Sequence, residues 1–174
     1  MKEEVQLRRA TLRDLPTLVL HRRAMWEALV EVPEAALNRG DRVYRRWLRA
    51  RMQRGDAVAF VAETRGQVPV ASGAVFVRDI DPSPSGVATS PHTISMFTEK
   101  GCRGQGIARD ILHELRDWCE ARGFAAVTLS PAPKARRLYR RVGFERAWGM
   151  VLRFPPRHPG PHARRRPPRG PREG

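Results

Sequence analysis

Apolar and polar residues change period several times along this chain, and each change marks an element. Val5-Gln6-Leu7-Arg8-Arg9 roughly alternates and predicts a first strand. Thr11, with Asp14 three residues on, reads as a helix N-cap, and Leu15, Leu18, Val19, Met25, Trp26 and Leu29 follow at helical spacing. Pro16 falls in or just beyond the first turn, where it removes at most one ladder hydrogen bond. Val43, Tyr44, Trp47, Leu48 and Met52 give a second helical stripe around Glu34 to Arg54, with an interruption expected near Gly40. Two β-rich runs, 57–63 and 68–77, flank the turn Thr64-Arg65-Gly66-Gln67 and predict an antiparallel hairpin. Pro69 confines one end of the second run to an edge or a bulge.

After a Pro/Ser loop at 82–91 the periods alternate again. His92 to about Thr98 reads as a strand, and Ile107, Ile111, Leu112, Leu115, Trp118 and Cys119 share one helical face ended by Gly123. Strands at 125–130 and 148–154 bracket a short helix at 136–142. The expected order is βααβββαβαβ, a mixed α/β fold.

Length and charge sharpen this picture. The 174 residues suit one domain, and no run approaches the ~18 apolar residues a membrane span needs. The first residues show no charged region leading into an apolar one, so the expected address is the cytoplasm. Cys102 and Cys119 then read as free thiols. The net charge of +15 divides unevenly. Residues 155–174 hold six arginines against Glu173, a net +5 that leaves +10 for the remainder. That segment also carries seven prolines and nothing aliphatic larger than Ala163, so it cannot bury enough surface to offset its ordering entropy. The expected division is a domain over 1–154 and a disordered basic tail over 155–174. Such a tail reads first as a solubilising appendage, while nucleic acid or an acidic protein stays open as its partner.

The chemistry concentrates between Phe97 and Ala108. A strand ends, a glycine-rich basic loop follows and a helix begins, which aims unpaired backbone N–H groups and a positive dipole end at one point. Such a point binds phosphate. Gly104, Gly106 and Ala108 keep side chains away from the anion, and Arg103 adds a donor fork suited to phosphate oxygens. A P-loop is excluded because Ile107-Ala108 stands where Lys-Ser/Thr is required. A dinucleotide fingerprint fails because the glycine order is reversed and the loop comes late in the chain.

With these residues in view the chain resembles the GCN5-related N-acetyltransferases (GNAT). Arg103, Gly106 and Ala108 meet the family signature Arg/Gln-x-x-Gly-x-Gly/Ala, and Leu138-Tyr139-Arg140-Arg141-Val142-Gly143-Phe144 is similar to its Leu-Tyr-x-x-x-Gly-Phe element. The resemblance spans about residues 5–154. It implies a mostly antiparallel mixed sheet, splayed between the fourth and fifth strands, with helices on both faces. It further implies acetyl transfer from acetyl-CoA, a co-substrate whose pyrophosphate would lie on Arg103, Gly104, Gln105, Gly106, Ile107 and Ala108. The pantetheine would lie against Met96, Phe97 and Thr98, with the splay near Ser130.

The same resemblance puts a backbone N–H of Met96 or Phe97 on the developing oxyanion and makes Tyr139 the acid that protonates the departing thiolate. Where many relatives carry Asn or Ser, this chain has Ala132 between Pro131 and Pro133. Glu99 and His92 are candidates for the general base by location. Trp26, Glu27 and Glu31, with Asp79 or Asp81 beside them, are the expected acceptor-side residues. The expected acceptor is a primary amine of a small molecule, such as an amino acid, a polyamine or an aminated antibiotic. Acetylation of a protein lysine or N-terminal amine, a non-catalytic nucleic-acid-associated module, and a homodimer all stay open. No metal is expected, because His21, His113, His158 and His162 share no ligand spacing with cysteines or acids.

Overall fold

The computed structural model describes residues 4–147. The strand expected at 148–154 and the tail at 155–174 lie outside the described residues. The elements below belong to the compact unit that ends at Phe144. They are β1 (Val5–Arg9), α1 (Leu15–Glu27), α2 (Glu34–Arg54), β2 (Ala57–Thr64), β3 (Pro69–Asp79), β4 (Thr89–Thr98), α3 (Ile107–Glu120), β5 (Thr128–Leu129) and α4 (Arg136–Val142). The five strands form one sheet in the order β1-β2-β3-β4-β5, antiparallel except for the parallel β4–β5 pair.

Both faces of the sheet are covered. On β2, Ala57, Ala59 and Val61 face Leu15, Leu18, Tyr44 and Leu48 of α1 and α2, while Val58, Phe60 and Ala62 face Ile107, Ile111 and Leu115 of α3. Small side chains toward the helix pair and larger ones toward the single helix let two layers of helices close on one strand. Each large aliphatic side chain buried in this way contributes roughly 1.5–3 kcal/mol.

The 3-10 turn Leu12–Asp14 that leads into α1 is tied down by a capping box. Thr11 accepts from the Arg13 N–H, Asp14 accepts from the Thr11 N–H at 2.7 Å, and Arg8 of β1 pairs with both Asp14 and Glu63. Arg8, Thr11, Leu12, Arg13 and Asp14 line a depression at the β1 edge, across the sheet from β5. Of the edge or bulge expected at Pro69, the structure has the bulge, since the β2–β3 register shifts between Ala62 and Glu63 opposite it.

Two expectations need correction. Gly40 does not interrupt the second helix, which runs unbroken from Glu34 to Arg54. The packed positions Tyr44 and Leu48 hold it against α1 and the sheet, and outweigh the roughly 1 kcal/mol that an interior glycine costs. The strand expected at 125–130 is reduced to Thr128–Leu129. It pairs with β4 only through His92↔Thr128 and Thr93↔Leu129, and Pro131 and Pro133 then offer no N–H to continue a ladder.

Candidate functional site

The short β5 decides where the sheet opens. Pairing between β4 and β5 stops at Thr93 and Leu129, whereas β4 continues to Thr98 with β3 as its remaining neighbour. Along this one-sided stretch the strand carries a bulge. Ser72 pairs with Phe97 and Ala74 with Ile94, so Gly73 faces both Ser95 and Met96, and Ser95 stands at φ +54°. Holding a serine there costs on the order of 1–3 kcal/mol, which the surrounding packing must supply.

Gly73 is required by close approach. A Cβ on it would overlap the Met96 sulfur and lie 2.9 Å from Cγ2 of Ile111 on α3. Met96 therefore sits on the α3 side of the sheet. Phe97 faces α1, where its ring meets that of His21 at 4.8 Å.

Beyond Thr98 the chain makes a 3-10 turn at Lys100–Cys102 and enters α3 through Gly104 at φ +78° and Gly106 at φ +91°. Both lie in the left-handed region that a Cβ disfavours, and at Gly104 that Cβ would meet nothing within 4 Å. The first helical bond of α3 runs from the Asp110 N–H to the Gly106 carbonyl at 3.0 Å, so the amides of residues 107–109 have no helical acceptor. Arg103 is fixed beside them, its Nε donating to the Thr98 carbonyl at 3.0 Å, and Gln105 Nε2 donates to the Gly101 carbonyl at 3.4 Å. Open space over a glycine, unpaired amides at a helix N-terminus and an exposed guanidinium fit a diphosphate.

On the opposite face an aromatic row follows the opening. Tyr44 stacks on Trp47 at 5.9 Å, Trp47 meets Phe76 edge-on at 4.9 Å, and Phe76 meets His92 at 6.0 Å. At one end of the row Tyr44 Oη donates to Ser95 Oγ at 3.1 Å, and burial pushes the phenol pKa up. At the other end His92 Nδ1 lies 2.8 Å from Thr128 Oγ1. The Thr128 hydroxyl donates to the Pro91 carbonyl at 3.2 Å and accepts from Arg78 Nη2 at 3.3 Å. With its single proton so used, Thr128 accepts from His92, which puts the imidazole proton on Nδ1 and a lone pair on Nε2. Burial, with Arg78 nearby, pulls the His92 pKa below its ordinary value.

Tyr139 lies half-buried on α4, its ring edge-on to Phe144 at 5.7 Å. Burial raises its pKa, so the hydroxyl keeps its proton at neutral pH. Of the acceptor-side residues, Trp26 lies in the last turn of α1 and Glu31 is exposed in the α1–α2 connection. Glu27 is paired with Arg23 at 3.0 Å. Asp79 and Asp81 are exposed at and beyond the end of β3, as Glu99 is at the end of β4.

Four residues at the site were not singled out from the sequence for it. Tyr44 reads there only as part of a helical stripe, and the left-handed Ser95 leaves no trace in composition. Buried His21 accepts or donates at 2.9 Å to Ser72 Oγ, and burial lowers its pKa. Thr93 Oγ1 is buried without a hydrogen-bond partner among the described residues, at the last β4–β5 rung. Among those residues no group of three metal-ligating side chains occurs, and no helix is long and apolar enough to cross a membrane.

Comparison with known proteins agrees with this geometry. The family model described as Acetyltransferase (GNAT) domain matches residues 55–146. A GCN5-related N-acetyltransferase from Ralstonia eutropha JMP134 superposes with a TM-score of 0.77 at 22% identity, covering 87% of this chain and 99% of the other. A predicted acetyltransferase with acetyl-CoA from Clostridium acetobutylicum gives a TM-score of 0.75 at 22% identity, covering 86% and 96%. An aminoglycoside 6'-N-acetyltransferase from Acinetobacter baumannii gives 0.66 at 14% identity, covering 87% and 97%. No curated protein sequence matches the chain.

Proposed function

The chain belongs to the GNAT acetyltransferase family and is an acetyl-CoA-dependent N-acetyltransferase; from that premise we propose that it acetylates a primary amine of a small molecule by direct attack. The observation that carries this reading is the parting of β4 from β5 directly upstream of the anion-binding turn, with a bulge between them. Acetyl-CoA supplies an activated acetyl thioester, whose C–S bond breaks as the new C–N bond forms.

The protein's own groups divide the remaining work. Arg103 and the turn from Gly104 through Ala108 hold the diphosphate, and Met96, Phe97 and Thr98 line the bound chain. The backbone N–H of Met96 or Phe97 faces the oxygen where negative charge develops. The bulge supports Met96 in this role, because Ser95 and Met96 together oppose Gly73 and the extra residue in such a ladder is left unpaired, and one such donor is typically worth about 3–4 kcal/mol. Tyr139 delivers its phenolic proton to the departing sulfur. His92 Nε2 receives the proton that the amine must lose, directly or through water, and its depressed pKa keeps that lone pair available at neutral pH. Trp26, Glu27 and Glu31 border the acceptor. Residues 1–154 form the catalytic domain, and a chain ending at 154 acetylates small amines at the rate of the full chain.

The test is a screen of primary amines followed by release of free coenzyme A thiol, with Tyr139→Phe alongside. The variant is expected to lose about 10²- to 10⁴-fold in turnover while coenzyme A still raises its Tm. A Tyr139→Phe enzyme as fast as the parent would remove Tyr139 from the mechanism, and no thiol release with any amine would overturn the small-molecule reading.

A further inference from the structure

Adjacent arginines on α1 have opposite fates. Arg23 is ion-paired, with Nε on Glu27 at 3.0 Å and Nη1 on both Asn38 at 2.7 Å and Asp41 at 3.0 Å. Arg22 has no carboxylate within ion-pair distance among the described residues. Its guanidinium instead lies 4.5 Å from the Tyr44 ring centroid and 5.8 Å from that of Trp26. Aromatic faces balance part of its charge but accept little from its five N–H donors.

The position matters because Tyr44 hydrogen-bonds Ser95, the left-handed residue of the β4 bulge. Arg22 is thus linked through one phenol to the opening where acetyl transfer takes place. Of the two acceptor-side glutamates, Glu27 is already committed to Arg23. Arg22 is the acceptor-side cation left facing aromatic rings rather than a carboxylate.

We propose that the acceptor amine carries an anionic group, a carboxylate or a phosphate, which Arg22 binds between Trp26 and Tyr44, making Arg22 a specificity-determining residue. This deepens the acetyl-transfer reading and rests on it. A planar fork already stacked on rings loses little freedom on binding, so a carboxylate or phosphate can be held bidentately. Polycationic amines without an anion are disfavoured at the same place.

The test uses the full chain, acetyl-CoA and two matched probe pairs: phenylalanine with phenethylamine, and O-phosphoethanolamine with ethanolamine. In at least one pair the anionic member is expected to have the higher kcat/KM by about 10- to 100-fold, the range for a hydrogen-bonded charge. Arg22→Gln is expected to raise KM for that member and pull its kcat/KM toward that of its anion-free partner, with Arg22→Lys in between. The preferred pair identifies carboxylate or phosphate as the group recognised. Equal kcat/KM within both wild-type pairs would overturn the inference while leaving acetyl transfer standing. So would an Arg22→Gln loss equal for both members of a pair, which marks a structural role. If no probe is acetylated, calorimetry of the anionic members into the wild-type coenzyme A complex separates the two readings. Heat that Arg22→Gln abolishes would keep the anion site and count against acetyl transfer to these amines; no heat would overturn the anion site itself.

Discussion

Replacing Gly73 by alanine tests whether the bulge and the anion cradle form one mechanical unit. The added Cβ would overlap the Met96 sulfur and stand 2.9 Å from Ile111 Cγ2, where ordinary contacts lie near 3.5–4 Å. Met96 is unbranched and can rotate away, at roughly 0.5–1.5 kcal/mol if it leaves its rotamer. Ile111 is fully buried and β-branched on a helix, so it has little rotamer freedom and must carry α3 with it. Together these are an overpacking cost of about 1–3 kcal/mol. At about 2–4 °C per kcal/mol for a domain of this size, Tm should fall by about 2–12 °C.

The catalytic effect should be larger than this loss suggests. The N-terminus of α3 carries the turn proposed to hold the diphosphate and Met96 belongs to the bulge, so one methyl displaces two parts of the proposed site. Misplacement by about 1 Å can cost about 10²-fold, and a fall of at least tenfold in kcat/KM is expected in the thiol-release assay. Adding Met96→Ala keeps the backbone N–H and removes the larger overlap, so it should return part of the lost Tm, with a coupling of about 0.5–3 kcal/mol. A Gly73→Ala protein with unaltered Tm and rate, or strictly additive effects in the double variant, would refute the argument.

Two further expectations follow from the fold. Gly40→Ala should raise stability by about 0.5–1 kcal/mol in denaturant unfolding, since Gly40 lies inside α2 and its Cβ would meet only Arg22 Nη1 at an ordinary 3.9 Å; a destabilised variant would mean that α2 needs the glycine. Stability should also decline in two steps on acidification. Burial lowers the His21 pKa below its ordinary 6.5, so the unfolded chain binds the proton first and stability falls as pH drops below about 6.5. Asp14, held at about 2 by Arg8, contributes above its ordinary 3.8 and is lost as pH falls toward 2. A urea midpoint that rises between pH 7 and 5.5, or an unaltered slope there in His21→Gln, would contradict the first step.

The local order of this protein was written in its sequence because short-range signals decide it. Thr11 and Asp14 announce the cap, Gly104 and Gly106 announce a turn only glycine adopts easily, and the periodic Ile107, Ile111 and Leu115 announce the face of α3. The turn proposed to hold the diphosphate can be picked out for the same reason, since its amides, its glycines and Arg103 fall within a few consecutive positions. What sequence spacing could not decide was where strands give up pairing and which distant side chains meet. Gly73 leaves the room that Met96 of the Ser95 bulge occupies, and Tyr44 of α2 meets Ser95 of β4 across 51 positions. The contrast between ion-paired Arg23 and stacked Arg22 likewise depends on the approach of α1 to α2. Such contacts join residues tens of positions apart, and their energies come from packing and burial that no local pattern encodes.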